Sequence, residues 1–524
     1  LTVWPPPPGF TGEFWPIRAL PPAMWIRASL KDWIVAKINL VDVSVRDGNQ
    51  SLWGATGLAS NQMLEIAGAL DRVGFSAIDF TSSSHMAVAV RYFQTNPWDH
   101  IRRMRAAMPR TPLQFITTGL RFIAWQQADP DFMRIVYRRL QINGIRRFIM
   151  LDPMHDLDAV LEASRLIKEE GGAEVMAALT FTLSDVHDDA FYADFASKLA
   201  ASPHVDTFYL KDPSGLMGPE RARTLVPAVK AVIGTKKLEM HVHCTIGYGP
   251  LASLVGAELG ASAVHVGIGP LGDGSALPEA VRMVANLRAM GHTVPVDDKA
   301  LGQVSDYWWA LARAEGLPAG TPQAFDASFL QHQIAGGVMT TMLRQLQELK
   351  LEHRLADVIA ETEQVRRDLG QPIMVTPFPQ MVCTQALFNV VGAKRYAQVS
   401  DQVVRYVLGK FGRPTRPVDE AVKAAILDRA RAREIETEDD FPTLADLRKR
   451  FGAAMDEEEF LLRAVMPGDQ VDAMLAAGPK RRGYTPEAAP VLSLLKQLAA
   501  KPAARELIVE RPGLRIKLTA GAGI

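Results

Sequence analysis

The 524-residue chain balances 58 basic against 58 acidic side chains, which removes any electrostatic reason to expect nucleic acid or an anionic membrane as a partner. At 48% hydrophobic and 22% charged it is an ordinary globular composition, long enough for two or three domains, and its two cysteines, Cys244 and Cys383, exclude a disulfide framework and fit a reducing compartment. No basic, apolar-cored leader opens the sequence, and the apolar stretch 251–272 is broken by Glu258 and several glycines, so the expectation is a cytoplasmic protein without a membrane span.

Residues 1–37 hold Pro5-Pro6-Pro7-Pro8, Pro16, Pro21-Pro22 and the tryptophans Trp4, Trp15, Trp25 and Trp33. Proline presets an extended backbone, so this arm needs an outside surface to cover its tryptophans: a partner, a sister subunit or its own domain. From residue 38, short β-branched runs alternate with segments of helical apolar spacing. The runs are 38–47, 75–83, 111–119, 145–153, 174–184, 205–212, 237–245 and 261–269. Eight such units over roughly 250 residues are the pattern of an α/β fold, the (β/α)8 TIM barrel. A doubly wound open sheet would show a Gly-rich phosphate turn after its first strand; here that strand runs into Arg46-Asp47-Gly48-Asn49-Gln50-Ser51.

The barrel is therefore assigned to residues 38–290, and a mainly helical C-terminal domain to 291–465, with helical spacing over 300–315, 339–352, 355–369, 401–410 and 418–433. A Gly- and Pro-containing linker follows at 466–486. The last segment, 487–524, reads as a small α+β module, with a helix at 489–500 and β-like runs at 506–510 and 514–518. Whether the helical region caps the barrel mouth or forms a subunit contact is left open.

Parallel barrels carry their chemistry at the C-terminal strand ends. Asp47, Asp152, Lys211, His241 and His243 fall at such ends. In His241-Val242-His243-Cys244-Thr245 the two imidazoles lie at i and i+2, on one face of a strand, and can grip one cation.

Three segments occur in order: Arg46-Asp47-Gly48-Asn49-Gln50-Ser51, Lys211-Asp212-Pro213-Ser214-Gly215-Leu216 and His241-Val242-His243-Cys244-Thr245. They resemble the signature segments of the biotin-dependent carboxyltransferase family, which includes pyruvate carboxylase, the α subunit of oxaloacetate decarboxylase and the 5S subunit of transcarboxylase. Asn96-Pro97-Trp98, His332-Gln333-Ile334-Ala335-Gly336-Gly337 and the segment from Asp368 to Phe378 extend the likeness over about residues 38–450. The last forty or so residues resemble the leader that precedes a biotin carrier domain, without a Met-Lys-Met biotinylation site, so biotin is expected on a separate carrier protein.

The resemblance implies a divalent ion (Zn2+, Mn2+ or Co2+) held by Asp47, His241 and His243, with Lys211 as fourth ligand once its amine has captured CO2 as a carbamate. A free ammonium cannot ligate a cation, whereas a carbamate is an oxygen donor, and mixed nitrogen and oxygen ligands suit these metals. Arg46 and Gln50 are expected beside an oxyanion or the biotin ureido oxygen. The implied partners are a biotin carboxylase subunit, a biotin carboxyl carrier protein and a small enolisable acceptor such as a 2-oxo acid, with a homodimer or higher oligomer as the core.

Departures from the family pattern cluster on the acceptor side. Thr118 stands where pyruvate-handling members carry arginine, leaving Arg121 as a substitute, and Ser275 is the hydroxyl nearest to the family's proton-shuttling threonine. Thr81-Ser82-Ser83-Ser84-His85 replaces a Gly-Gly pair, and Cys244 replaces an aspartate. His85, Thr118, Asp152, His155 and Cys244 are expected to line the acceptor pocket, and the acceptor need not be pyruvate. Two other readings stand beside this one: a metal-dependent C–C lyase or Claisen-type condensing enzyme on the same barrel, and an assembly scaffold for a carboxylase complex.

Overall fold

A computed structural model describes residues 36–479 apart from positions 125 and 335, together with 483–486, 506–511 and 514–519. Eight strands form one closed parallel barrel: β1 (Asn39–Asp42), β2 (Ala77–Ser82), β3 (Leu113–Thr117), β4 (Ile145–Met150), β5 (Glu174–Thr180), β6 (Thr207–Asp212), β7 (Lys237–Val242) and β8 (Ala263–Val266). Closure comes from β1 against β8, with Asn39 opposite Ala263 and Asp42 opposite Val266. The strands are buried on both faces, which is why they read as near-continuous apolar runs rather than alternating ones. All but β6 end earlier than their apolar runs.

Helices return the chain between strands, and their starts are written in the sequence. Asn96 accepts from the backbone N–H groups of Trp98 and Asp99, with Pro97 in the first turn of the helix Pro97–Ala107. Asp129, Asp156 and Asp188 cap the helices Pro130–Asn143, Leu157–Gly171 and Asp189–Ala200 in the same way. A large core between sheet and helices includes fully buried Trp98, Phe132, Phe148 and Phe208. Burying one such side chain contributes about 1.5–3 kcal/mol.

The segment expected as one helical domain at 291–465 is divided between two cores. The helix Asp298–Glu315 sends Leu301, Val304, Trp308 and Leu311 into the barrel core, and so do Leu447, Phe460, Leu461 and Leu462 from the far end. Trp98 explains part of that return: its indole N–H donates to the Glu458 carbonyl at 3.2 Å. Between these flanks lies a second core, running from Ile334 to Ile435 and joined by Met154 of the barrel. Its helix Phe378–Val391 is apolar nearly all round, so it shows no 3.6-residue stripe in the sequence.

Two further expectations need correction. The stretch 418–433 is two helices, Glu420–Leu427 and Ala430–Glu436, broken where Arg429 is extended and its guanidinium binds the Tyr396 and Ala397 carbonyls. The expected linker 466–486 contains the helix Gly468–Ala477, which buries Val471 and Met474, one turn apart, and packs on the helix Ser83–Arg91. At the far end β9 (Glu506–Arg511) and β10 (Leu514–Thr519) form an antiparallel hairpin. The Pro/Trp-rich segment 1–35 and the helix expected at 489–500 lie outside the described residues. No helix among the described residues is long and apolar enough to cross a membrane.

Candidate metal centre and active site

The first site element is not a strand end. After β1, Asp42 accepts from the N–H of Ser44 at 3.0 Å and from its hydroxyl at 2.5 Å, which takes the chain out of the ladder. A π-helical turn, Ser44–Gly48, closes with the Gly48 N–H on the Val43 carbonyl at 3.0 Å and carries Arg46 and Asp47 into the mouth. Any larger residue at 48 would press its Cβ to 2.5 Å from the Leu271 carbonyl oxygen.

The second comes from β6, whose alternation points Lys211 inward and leaves Asp212 to shape the turn behind it. Asp212 accepts from the N–H groups of Gly215 at 2.8 Å and Met217 at 2.6 Å. Gly215 has φ +71° and a Cβ there would lie 2.7 Å from the His243 carbonyl oxygen, so Lys211-Asp212-Pro213-Ser214-Gly215 is a turn only glycine completes.

The third is β7, where His241 and the residue just past its end, His243, share a face. Ligand atoms of Asp47, His241 and His243 all lie within 4.8 Å of one another. His241 Nε2 is 3.2 Å from His243 Nε2 and 3.2 Å from Asp47 Oδ2. Lys211 Nζ lies 3.0 Å from His241 Nε2 and 3.4 Å from Asp47 Oδ2. Ligands at about 2.0–2.1 Å from Zn2+ stand roughly 3.0–3.4 Å apart, so these separations fit one cation between them. The donor chemistry fits as well. His243 Nδ1 is 2.7 Å from the Ser275 carbonyl oxygen and must carry its proton there, which leaves the Nε2 lone pair facing the cluster.

Electrostatics keep these groups in ligand form. Burial would raise the Asp47 carboxyl, but Arg46 and Lys211 outweigh it and hold it well below the usual carboxylate range. Burial, followed by the Lys211 charge, pushes His241 well below the usual imidazole value, so it is neutral. Burial also lowers Lys211. Arg46 donates through Nε to Asp79 Oδ2 at 2.9 Å and through a terminal nitrogen to Asp47 Oδ2 at 2.8 Å and to Asp79. Ser51 donates to Asp47 Oδ1 at 3.0 Å.

The cluster opens into a cavity of about 280 Å3 lined on the barrel side by Arg46, Asp47, Gln50, Thr118, Lys211, His243 and Ser275. Val338, Met374, Thr376 and Gln380 line it from the second core, so the helical region does wall the mouth. The dock is held by Gln333, whose amide binds Thr182 and Leu183 after β5, and by Arg366, which donates to Thr182 Oγ1 at 2.9 Å.

Arg121 and four of the five expected pocket residues do not line that cavity, whereas Thr118 does. Arg121 is turned to Asp152 at 3.2 Å and to the Phe411 carbonyl at 3.0 Å. Asp152 accepts from the Met154 N–H at 2.7 Å. His155 packs on Phe191 and Phe195 and accepts from the Thr180 N–H at 3.0 Å. His85 faces a smaller cavity of about 40 Å3 together with His100, and its Nδ1 lies 3.0 Å from Ser82 Oγ. Cys244 lines a separate cleft with Arg282, where burial pushes its thiol up to about 12. Arg121, Asp152 and His155 Nε2 are spent on loop and core hydrogen bonds, which spacing alone does not reveal.

Asp79, Glu239 and His265 adjoin the site residues without any motif to mark them. Glu239 continues the i, i+2 series of His241 and His243, and Asp79 is an acid inside an apolar strand, so these two carry a weaker signal. Below the cluster, His265 Nδ1 lies 3.2 Å from His241 Nδ1, and its Nε2 lies 3.0 Å from Glu239 Oε2. Arg147 donates to Glu239 Oε1 at 2.5 Å. Burial would raise the Glu239 carboxyl, but Arg147 and His265 bring it down to about 2.

Fold and cluster define a (β/α)8 barrel with a cation-type site at a mouth walled by helices. A family model described as HMGL-like matches residues 37–307, and one described as a conserved carboxylase domain matches 329–487. A subunit of the pyruvate carboxylase of Methanocaldococcus jannaschii is 31% identical over 392 residues, covering 75% of this chain and 68% of that one. The 2-oxoglutarate carboxylase large subunit of Hydrogenobacter thermophilus is 27% identical, covering 87% and 73%. The methylmalonyl-CoA carboxyltransferase 5S subunit of Propionibacterium freudenreichii subsp. shermanii is 26% identical, covering 72% and 74%. In fold, the carboxyl transferase domain of Rhizobium etli pyruvate carboxylase superposes with a TM-score of 0.76 at 21% identity, over 95% of this chain and 85% of that one. The chain belongs to the biotin-dependent carboxyltransferase family, and it is an enzyme.

Proposed function

We propose that the chain is the carboxyltransferase subunit of a multi-subunit, cytoplasmic biotin-dependent carboxylase. It moves a carboxyl group between carboxybiotin on a separate carrier and a small enolisable 2-oxo acid, and works with a biotin carboxylase subunit around a homodimeric core. The observation that carries this reading is the convergence of Asp47, His241 and His243 at the mouth of a family barrel.

Asp47, His241 and His243 would hold the divalent ion, and Lys211, once converted to a carbamate, would offer an oxygen donor beside them. When bound, the ion supplies Lewis acidity that polarises the acceptor's carbonyl. Arg46, held by Asp47 and Asp79, orients the groups that carry negative charge. The balance of the reaction is simple: the N–CO2 bond of carboxybiotin breaks, a C–C bond forms, and the proton lost by the acceptor's carbon ends on the biotin nitrogen. Ser275 Oγ, which lines the cavity and donates to the Ser51 carbonyl at 2.8 Å, carries that proton by accepting one and releasing its own.

The acceptor wall supports a 2-oxo acid other than pyruvate, or pyruvate held in a rebuilt pocket. Ser82, Ser83, Ser84 and Thr118 line it, and Arg46, already paired with two carboxylates, is the sole arginine among the described lining residues. Lys211 beside the cluster, and the carboxylase match beyond the barrel, weigh against a C–C lyase.

The test is product formation from purified chain, biotin carboxylase, biotinylated carrier, ATP and bicarbonate with a panel of 2-oxo acids. Carboxylated product that disappears in His243→Ala supports the reading. No product with any acceptor, from protein shown to contain metal, removes it.

A further inference from the structure

The interior of the barrel below the cluster holds a continuous polar chain that ends on a ligand. Arg147, Glu239, His265 and His241 are all buried, the two histidines completely. With one proton on each imidazole, their hydrogen bonds have only one self-consistent direction. Arg147 can only donate, so Glu239 Oε1 accepts at 2.5 Å. Glu239 Oε2 accepts from His265 Nε2 at 3.0 Å, which places the His265 proton on Nε2 and leaves a lone pair on Nδ1. That lone pair faces His241 Nδ1 at 3.2 Å, so His241 must carry its proton on Nδ1. The His241 Nε2 lone pair is then free to point at Asp47 and His243. On the other side, the Ser275 carbonyl forces the same tautomer on His243.

We infer that His265 and Glu239 are positioning residues that lock His241 in the tautomer able to hold a cation, with Arg147 setting the direction of the whole chain. The Tyr209 ring packs against both imidazoles, at 5.0 Å from His241 and 4.9 Å from His265, and keeps the rings from turning. A carboxylate acting through one imidazole on a liganding imidazole raises the ligand's basicity. The inference rests on the metal-centre reading above.

The discriminating variant is Glu239→Gln. Arg147 still demands an oxygen, so the amide NH2 must face His265. His265 Nε2 then accepts, its Nδ1 donates, and His241 is driven to carry its proton on Nε2, the atom that should bind. Zn2+ affinity measured by competition with a chromogenic chelator should fall by about 10–100-fold, the usual cost of losing an outer partner. The metal-free melting temperature is measured alongside. Wild-type protein that binds Zn2+ together with E239Q protein that binds it within twofold overturns the inference and leaves the metal centre standing. Wild-type protein that binds no divalent ion removes the metal centre itself, and the inference with it. Should E239Q fail to fold, a neutron structure of the wild-type protein decides. Deuterons on His241 Nδ1 and His265 Nε2 support the inference, and deuterons on the opposite nitrogens overturn it.

Discussion

Gln333 and Thr182 join the two cores of the molecule: the Gln333 side-chain oxygen accepts from the Thr182 hydroxyl at 2.8 Å. The same oxygen takes the Leu183 N–H at 3.1 Å, and the Gln333 NH2 donates to the Leu183 carbonyl at 2.7 Å. One side chain thus satisfies a whole turn of the barrel mouth.

Removing it should loosen the helical wall rather than the barrel. Gln333→Ala leaves buried polar groups without partners, at a cost of about 1–3 kcal/mol for each. Hydrogen exchange should speed up in the helices Leu355–Asp368 and Phe378–Val391 while β5 to β7 keep their protection. Carboxyl transfer should fall with the wall.

Asp79 is predicted to matter through Arg46. Asp79→Asn leaves the buried guanidinium with Asp47 alone, and breaking a buried pair costs about 3 kcal/mol or more. The expected result is a lower melting temperature and at least a tenfold loss of transfer rate, in protein that still binds Zn2+. Unchanged kinetics would show that Arg46 needs no second carboxylate.

The thiols should be inert. Burial pushes Cys244 and Cys383 each up to about 12, so neither is a thiolate at neutral pH. A thiol-titrating disulfide reagent should find no reactive group in the native protein and two after denaturation. Rapid native labelling of either would contradict the packing described.

Acid should unfold the protein early. Burial lowers His100, His155 and His187 from an ordinary value of 6.5 to about 3. Between those values the unfolded chain binds more protons than the native one, so stability falls as pH drops from 6.5 towards 3 and these groups contribute no slope above 6.5. Protonation of His155 would also displace the Thr180 N–H from Nε2. Urea midpoints from pH 8 to pH 4 check the sign: level at first, then falling.

What the sequence discloses follows from what repeats. Eight apolar runs separated by capped helices make a barrel legible, and Asp47, Lys211, His241 and His243 lie where the turn after β1 meets the C-terminal ends of β6 and β7. Arg121, Asp152 and His155 look like site residues by the same rule, yet they hold loops together, because a polar residue at a strand end satisfies backbone groups as readily as substrate. Residues 444–477 were hidden for another reason. Their helices bury Leu447, Phe460 and Met474 against the barrel, a long-range contact that no local pattern encodes. The helix Phe378–Val391 escaped because its apolar residues surround it.

The turn Ser44–Gly48 carries a consequence for how such a protein can change. Its ring closes over five residues, so losing one would relax it to an ordinary helical turn and rotate Asp47 away from the imidazoles. The wall residues Thr118, Ile123 and Ala124 lie instead on the loop after β3, in no helical turn. New acceptors can therefore be explored by redrawing that loop while the spacing from Asp42 to Gly48 stays fixed as a ruler.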